Sequence, residues 1–277
     1  MNTVLADKNW KASLSLEFRG REDKTILARR EHSGPLVVQK PFYPEGDVCH
    51  VYLLHPPGGV VGGDELSLNV NVSHKAHTLI TTPAAGKFYR SDGRVALLNQ
   101  TLNVEQDSVL EWLPQETILF SGCNVNMTTH VELQNEAAFI GWEMLCLGRP
   151  ASGELFNQGI AQQRFEIWRN QKPLVIDRAR LEGGSDMLHA LWGMQDFTVT
   201  GTLLATNANK NALDTVRENL RMNKSGLVSA TLIEDVLVVR ALAHQAEHIR
   251  LQFIEVWQLL RPQLLNRKAS VPRIWAT

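Results

Sequence analysis

The 277-residue chain has 44% apolar and 21% charged residues and a formal net charge of −1, ordinary values for a soluble globular fold. Such a balance excludes nucleic-acid binding by the chain as a whole, which needs a basic excess. The start, MNTVLADKNWK, lacks the basic head and apolar run of an export signal, and the longest nearly apolar stretch, Ala137 to Gly148, contains Glu143 and is too short to span a membrane.

In chain order, ASLSLEF (12–18) and ELSLNVNV (65–72) alternate apolar and polar residues as half-buried strands do. PLVVQK and VCHVYLL, between them, are apolar runs of strand length. From Glu65 onward, a strand-like segment four times enters a short polar turn and returns as a more apolar strand. The turns are SHKA from Ser73, EQDS from Glu105, QNEA from Gln134 and RNQK from Arg169, with starts 32, 29 and 35 positions apart. This recurrence fits stacked hairpins or a solenoid, each unit burying its apolar face on the next. A β-sandwich whose hairpins recur at strand-plus-turn length is the alternative. Either arrangement gathers PAAGKFYRSDG, LPQETILFSG, CLGRPASGE and DRARLEGG at the rim opposite the polar turns.

The last third changes character. FTVTGTLLAT reads as a strand, and Asn207 or Asn209 can cap a helix from about Ala208 to Met222. LVSATLI and VLVVRAL form a hairpin around Glu234-Asp235. A final helix places Ala246, Ile249, Phe253, Val256, Trp257 and Leu260 on one side, and Pro262 helps end it. The expected fold is mainly β, made of stacked hairpins or sheets (solenoid- or sandwich-like), with two α-helices in the C-terminal third. No Pro/Ser-rich linker interrupts it. A single domain over 1–277 is expected, with a β-rich body at about 10–182 and a strand-helix-hairpin-helix region at about 197–262.

Cys49, Cys123 and Cys146 are odd in number and far apart, which fits a reducing cytoplasm rather than a disulfide framework. The G-x-S-x-G, G-x-x-x-x-G-K-[ST], H-E-x-x-H, C-x-x-C and G-x-G-x-x-G motifs are all missing, which argues against an enzyme. His74 and His77 flank a turn and could share a metal, but solvated turn residues are the preferred reading; His244 and His248, one helical turn apart, are a workable metal pair, but one exposed polar helix face is preferred. Cys49 and His55 are about 20 Å apart along an extended strand, too far to share one ion.

HPPGGVVGGDE (55–65) is the most distinctive stretch. Its prolines remove backbone donors, while Gly58, Gly59, Gly62 and Gly63 permit positive φ and close approach. Asp64 beside those amides repels phosphate and attracts cations. Glu143 in GWEML and Asp177 in VIDR interrupt apolar strands, so each must be paired or hydrated. Lys87, Arg90, Arg149 and Arg178 are the candidate partners. The set is either a group of buried salt bridges or a hydrated polar lane through a β body.

HPPGGVVGGDEL, LITTPAAGKFYRS, EWLPQETI, CLGRPASGE and the terminal VPRIWAT together resemble the urease accessory protein D (UreD/UreH) family, from Trp10 almost to the C-terminus. Gly86 stands where relatives often carry a hydroxyl residue, and Asp177 where they often carry Glu. The resemblance implies a mostly β, non-enzymatic, cytoplasmic scaffold that binds urease apoprotein and accessory proteins F and G, within a two-fold complex. It would pass nickel from the GTPase G, by way of F, through an internal polar passage to urease. No cofactor would be bound permanently; nickel(II) would be in transit. Asp64, Glu143 and Asp177 are the candidates for touching it, with His55 a weaker one. Gly58, Gly59, Gly62, Gly63, Lys87, Tyr89, Arg90, Arg149 and Arg178 would serve structure or partners. A pure docking adaptor that conducts no nickel is the alternative.

Overall fold

Alternating strands bury one face and need a second layer to cover it. In the computed structural model, which describes residues 10–221 and 226–276, the chain meets this need by coiling between two sheets. β1 (Lys11–Arg21) and β2 (Lys24–Ser33) begin one sheet, and β3 (Val37–Val38) and β4 (Cys49–Leu54) begin the other. The chain then winds. β5 (Glu65–Ser73) lies in the first sheet and β6 (His77–Thr81) in the second, and a short rung, β7 (Gly86–Phe88), leads back. β8 (Ala96–Val104), β9 (Val109–Leu113) and rung β10 (Thr117–Leu119) repeat the path, followed by β11 (Asn124–Leu133) and β12 (Ala138–Leu147). Equivalent strands of successive coils pair in parallel: β5 with β8, β8 with β11, β6 with β9, and β9 with β12.

The stacked reading therefore holds, with one difference in detail. The first three polar turns pass from sheet to sheet, so their flanking strands do not pair with each other. The fourth, at Arg169–Lys172, is a hairpin within one sheet, joining β13 (Ile160–Arg169) to β14 (Lys172–Glu182) in antiparallel register. It ends the coil and makes β14 the edge of a seven-stranded sheet ordered β14-β13-β11-β8-β5-β1-β2.

The rest extends the other sheet. After a one-turn helix, α1 (Asp186–His189), β15 (Val199–Ala205) pairs with β12. α2 (Lys210–Asn219) follows, capped by Asn209, whose side chain accepts from Ala212 N at 3.0 Å; Met222, the expected last residue, lies outside the described residues. β16 (Gly226–Ile233) and β17 (Val236–Ala243) form the expected hairpin, and α3 (Ala246–Leu265) closes the chain. Pro262 does not end α3. It sits inside the last turn, and the helix stops at Asn266, which is left-handed at φ 52°.

Two apolar cores result. One fills the space between the sheets, and the other packs α2 and α3 against the outer face of the larger sheet. Strands of the larger sheet are thus buried on both faces, which is why 137–148 reads as almost continuously apolar. The outer face of the seven-stranded sheet is left polar and wet, as the burial pattern of β1 shows.

Candidate functional site

Along the inner face of each sheet, apolar side chains recur every second residue, and at one level they fail. On β8 the stripe of Leu98 and Leu102 is broken by Gln100; on β11, Met127 and Val131 flank Thr129; on β14, Val175 and Ala179 flank Asp177. Strand register aligns these breaks: Gln100 opposes Thr129, Thr129 opposes Phe165, and Phe165 opposes Asp177. Gln163 stands one inward position away on β13.

The facing sheet breaks at a matching level. Glu143 interrupts the inner face of β12, Thr202 that of β15, and Arg240 the stripe Val236-Val238-Leu242 of β17. Glu143 opposes Thr202, Thr202 opposes Arg240, and Arg240 opposes Ser229 on β16. Hydrogen bonds join the rows across the core. Thr129 Oγ1 lies within hydrogen-bond reach of both Glu143 Oε1 and Gln100 Oε1, to one of which its single hydrogen is donated, Gln163 donates to Glu143, and Thr202 Oγ1 donates to Asp177 at 2.8 Å. Arg240 closes the outer end on Asp177 at 2.8 Å.

The inner end opens into a hollow. Pro83 and Pro114 follow β6 and β9, and proline cannot continue a ladder, so the sheet splits there before rungs β7 and β10 begin. A cavity of about 150 Å³ fills the split, its wall including His55, Thr82, Gln100, Gln115, Thr117 and Glu143. A second, of about 250 Å³, shares His55, Thr82, Gly86 and Thr117 with it and reaches Gly58, Gly59 and Lys87. The 55–65 loop thus lies over the second hollow, and in both hollows these few polar groups stand among mainly apolar side chains.

The carboxylates fare differently. Among the described residues, Glu143 has no cation beside it. Burial pushes its pKa up to about 7, against the hydrogen bonds from Thr129 and Gln163 and with the help of nearby Asp177. Asp177 is held by Arg240. Asp64 is buried, accepts from Trp10 N and Val61 N at 3.0 Å each, and does not line the two hollows. It staples the loop to the start of β1. Burial lowers the pKa of His55, with Asp64 opposing. Among the described residues, no three His, Cys, Asp or Glu side chains converge as metal ligands. Burial also pushes Cys49 and Cys146 to about 11 and Cys123 to about 12, keeping all three protonated.

The loop glycines have two separate causes. Gly58 and Gly63 adopt φ of 79° and 91°. Gly59 and Gly62 leave no room, since a Cβ would lie 2.2 Å from the Tyr89 ring and from Ser91 Oγ respectively. None of the four expected basic partners reaches a row carboxylate. Arg149 pairs with Glu154, Arg178 faces outward toward Glu166 at 3.6 Å, Arg90 packs against Gly122, and Lys87 walls the second hollow. The partner is Arg240, whose only signal in the sequence is a charge inside VLVVRALA. His77 is also corrected: it is buried and bonded to Glu111 at 2.6 Å, whereas His74 is exposed. His244 is exposed, but His248 is half-buried with an unpaired Nδ1.

Comparison with known proteins gives a consistent result. The family model described as UreD urease accessory protein matches residues 11–276. Proteins named urease accessory protein UreD from Alcanivorax borkumensis and Citrobacter koseri are each 46% identical, covering 98% of this chain and 93% of theirs. The one from Klebsiella aerogenes is 43% identical, covering 98% of both chains.

Proposed function

The chain belongs to the UreD family of urease accessory proteins, and on that premise we propose that it conducts nickel(II) to urease along the polar row between its sheets. A urease accessory protein serves the maturation of that enzyme; its family is named for this role and not for a reaction of its own. In the proposed scheme the whole chain acts as one domain in the cytoplasm and holds urease apoprotein. It takes nickel from the GTPase G by way of protein F within a two-fold complex. No helix among the described residues is long and apolar enough to cross a membrane.

The observation that carries the reading is Glu143. A carboxylate without a counter-cation, on the wall of a hollow and at the head of a row of hydroxyls and amides, attracts a dication without enclosing it. Cargo must leave again, and scattered oxygens retain nickel less than a thiolate–imidazole cluster would. Asp64 serves the route by fixing the loop, and His55 by lining both hollows. The test replaces Asp64, Glu143 and Asp177 singly by Ala and measures urease nickel together with complex assembly. Intact complexes with depleted nickel are expected for Glu143→Ala and Asp177→Ala; full loading in both overturns the conduit.

A second reading, a docking adaptor that conducts nothing, is favoured by one feature. Leu191 and Trp192 are 85% and 77% exposed in the loop after α1. Under it, Leu191→Ala/Trp192→Ala abolishes co-purification with urease while the acidic substitutions change nothing. The VPRIWAT tail is a poorer probe of docking. The Trp275 indole donates to Thr81 Oγ1 at 2.9 Å and packs on Trp142 and Trp257, so changes there disturb the core.

A further inference from the structure

The geometry points to Arg240 as a displaceable latch: its guanidinium occupies Asp177 at the outer end of the polar row and yields that carboxylate only to an arriving dication. This rests on the conduit reading above and names how its outer end is controlled.

Three observations carry it. First, position 240 falls in the inward stripe of β17, where Val236, Val238 and Leu242 pack into the core between the sheets. A guanidinium there must have a polar destination. Second, that destination lies on the opposite sheet. Asp177 sits on β14, the edge strand, so the ion pair ties the two sheets together where the row runs out. Third, the latch is movable. The Arg240 side chain is 54% exposed, against 23% for Asp177, and it faces an open depression of about 440 Å³ bordered by Thr200, Leu227 and Ser229. The guanidinium can therefore swing into water while the carboxylate, bonded to Thr202, stays in place.

Charge decides the exchange. A dication attracts Asp177 about twice as strongly as a guanidinium at equal distance, so it displaces the arginine on arrival. The returning guanidinium then repels it onward. In this way Arg240 keeps Asp177 and Glu143 from acting together as a trap.

The experiment uses the purified full chain and Ni²⁺ alone, in equilibrium dialysis. Arg240→Gln is expected to bind Ni²⁺ about tenfold tighter than the parent. Arg240→Thr, a strand-compatible second variant, should do the same, and Arg240→Lys should stay near the parent. Adding Asp177→Asn to Arg240→Gln should return binding to the parent level, which a merely structural role for Arg240 would not produce. Unchanged binding in both Arg240→Gln and Arg240→Thr overturns the latch while leaving the conduit standing. Full urease nickel loading by the Glu143→Ala and Asp177→Ala proteins overturns the conduit, and the latch with it, whatever dialysis gives.

Discussion

Glu111 in VLEWL and Glu143 in GWEML interrupt apolar strands in the same way, yet they end in opposite states. Both are deprived of water. For Glu111, burial is outweighed by His77 and by Arg261 at 3.0 Å, and its pKa falls to about 2; the Trp257 indole also donates to it at 2.6 Å. Arg261 itself is fully buried and also holds Glu45. Glu143 receives two neutral hydrogen bonds and no cation, so burial prevails. The two should respond to pH with opposite signs. Glu111 contributes stability above its ordinary pKa and loses it as pH falls toward 2. Glu143, raised to about 7, lets the folded state hold the extra proton between about 4.5 and 7, so stability declines as pH rises through that window. Glu143→Gln should abolish this decline, gaining on the order of 3 kcal/mol at pH 8 and almost nothing near pH 4.5. Urea unfolding across that range reads it, and parallel curves for parent and variant would contradict the assignment.

At the scale of elements, the recurring polar turns do more than reverse the chain. Asn135 and Asn170 adopt left-handed φ of 49° and 48° at equivalent places in neighbouring turns. Asn135 Nδ2 donates to Gln106 at 2.9 Å, and Asn170 Nδ2 donates to Asn135 Oδ1 at 3.2 Å. A polar ladder thus joins one coil to the next at the end away from the hollow. Asn135→Ala should lower stability by about 1–2 kcal/mol, from backbone strain plus lost bonds, and Asn135→Gly by less, since glycine accepts that φ freely. Thermal unfolding distinguishes them, and equal losses would assign the whole effect to the side-chain ladder. The turns were legible in the sequence because Asn, Asp, Gln and Lys cluster between apolar strands. The within-sheet path of the fourth turn was not, because a two-sheet corner and a hairpin use the same residue types. Pro262 misleads for a related reason. In the last helical turn one lost backbone bond is tolerable, and the left-handed Asn266 sets the stop.

At the scale of the whole molecule, one ten-stranded sheet serves two cores. Its inner face meets the seven-stranded sheet and frames the polar row; its outer face carries α2 and α3. The contact is close at Gly201 of β15, where a Cβ would lie 2.8 Å from Ile249 and 2.9 Å from Phe253. Gly201→Val should push α3 away and destabilise the fold by about 1–3 kcal/mol. Faster amide exchange along 246–265 is the expected sign, and unaltered exchange there would show that the helix accommodates the branch. Because α3 also carries Arg261, which anchors Glu111 and Glu45, the same variant links the outer core to the ion pairs beneath it.

Local pattern was enough for much of this protein. Alternation with period two identified β1 and β5, apolar runs of strand length identified β15 and the hairpin around Glu234-Asp235, helical spacing identified α3, and long motifs in order identified the family. Carboxylates inside apolar strands marked Glu143 and Asp177 as residues needing an explanation. Only the tertiary structure decided what that explanation is. Which strand lies beside which, and in what register, depends on how the coils stack, and no window of sequence contains that information. Register placed Gln100 beside Thr129 and Thr202 between Glu143 and Arg240, and it gave a cation to Glu111 and none to Glu143. A charge in water is nearly the same wherever it sits, but a charge between two sheets is defined by the neighbour that folding brings from far along the chain.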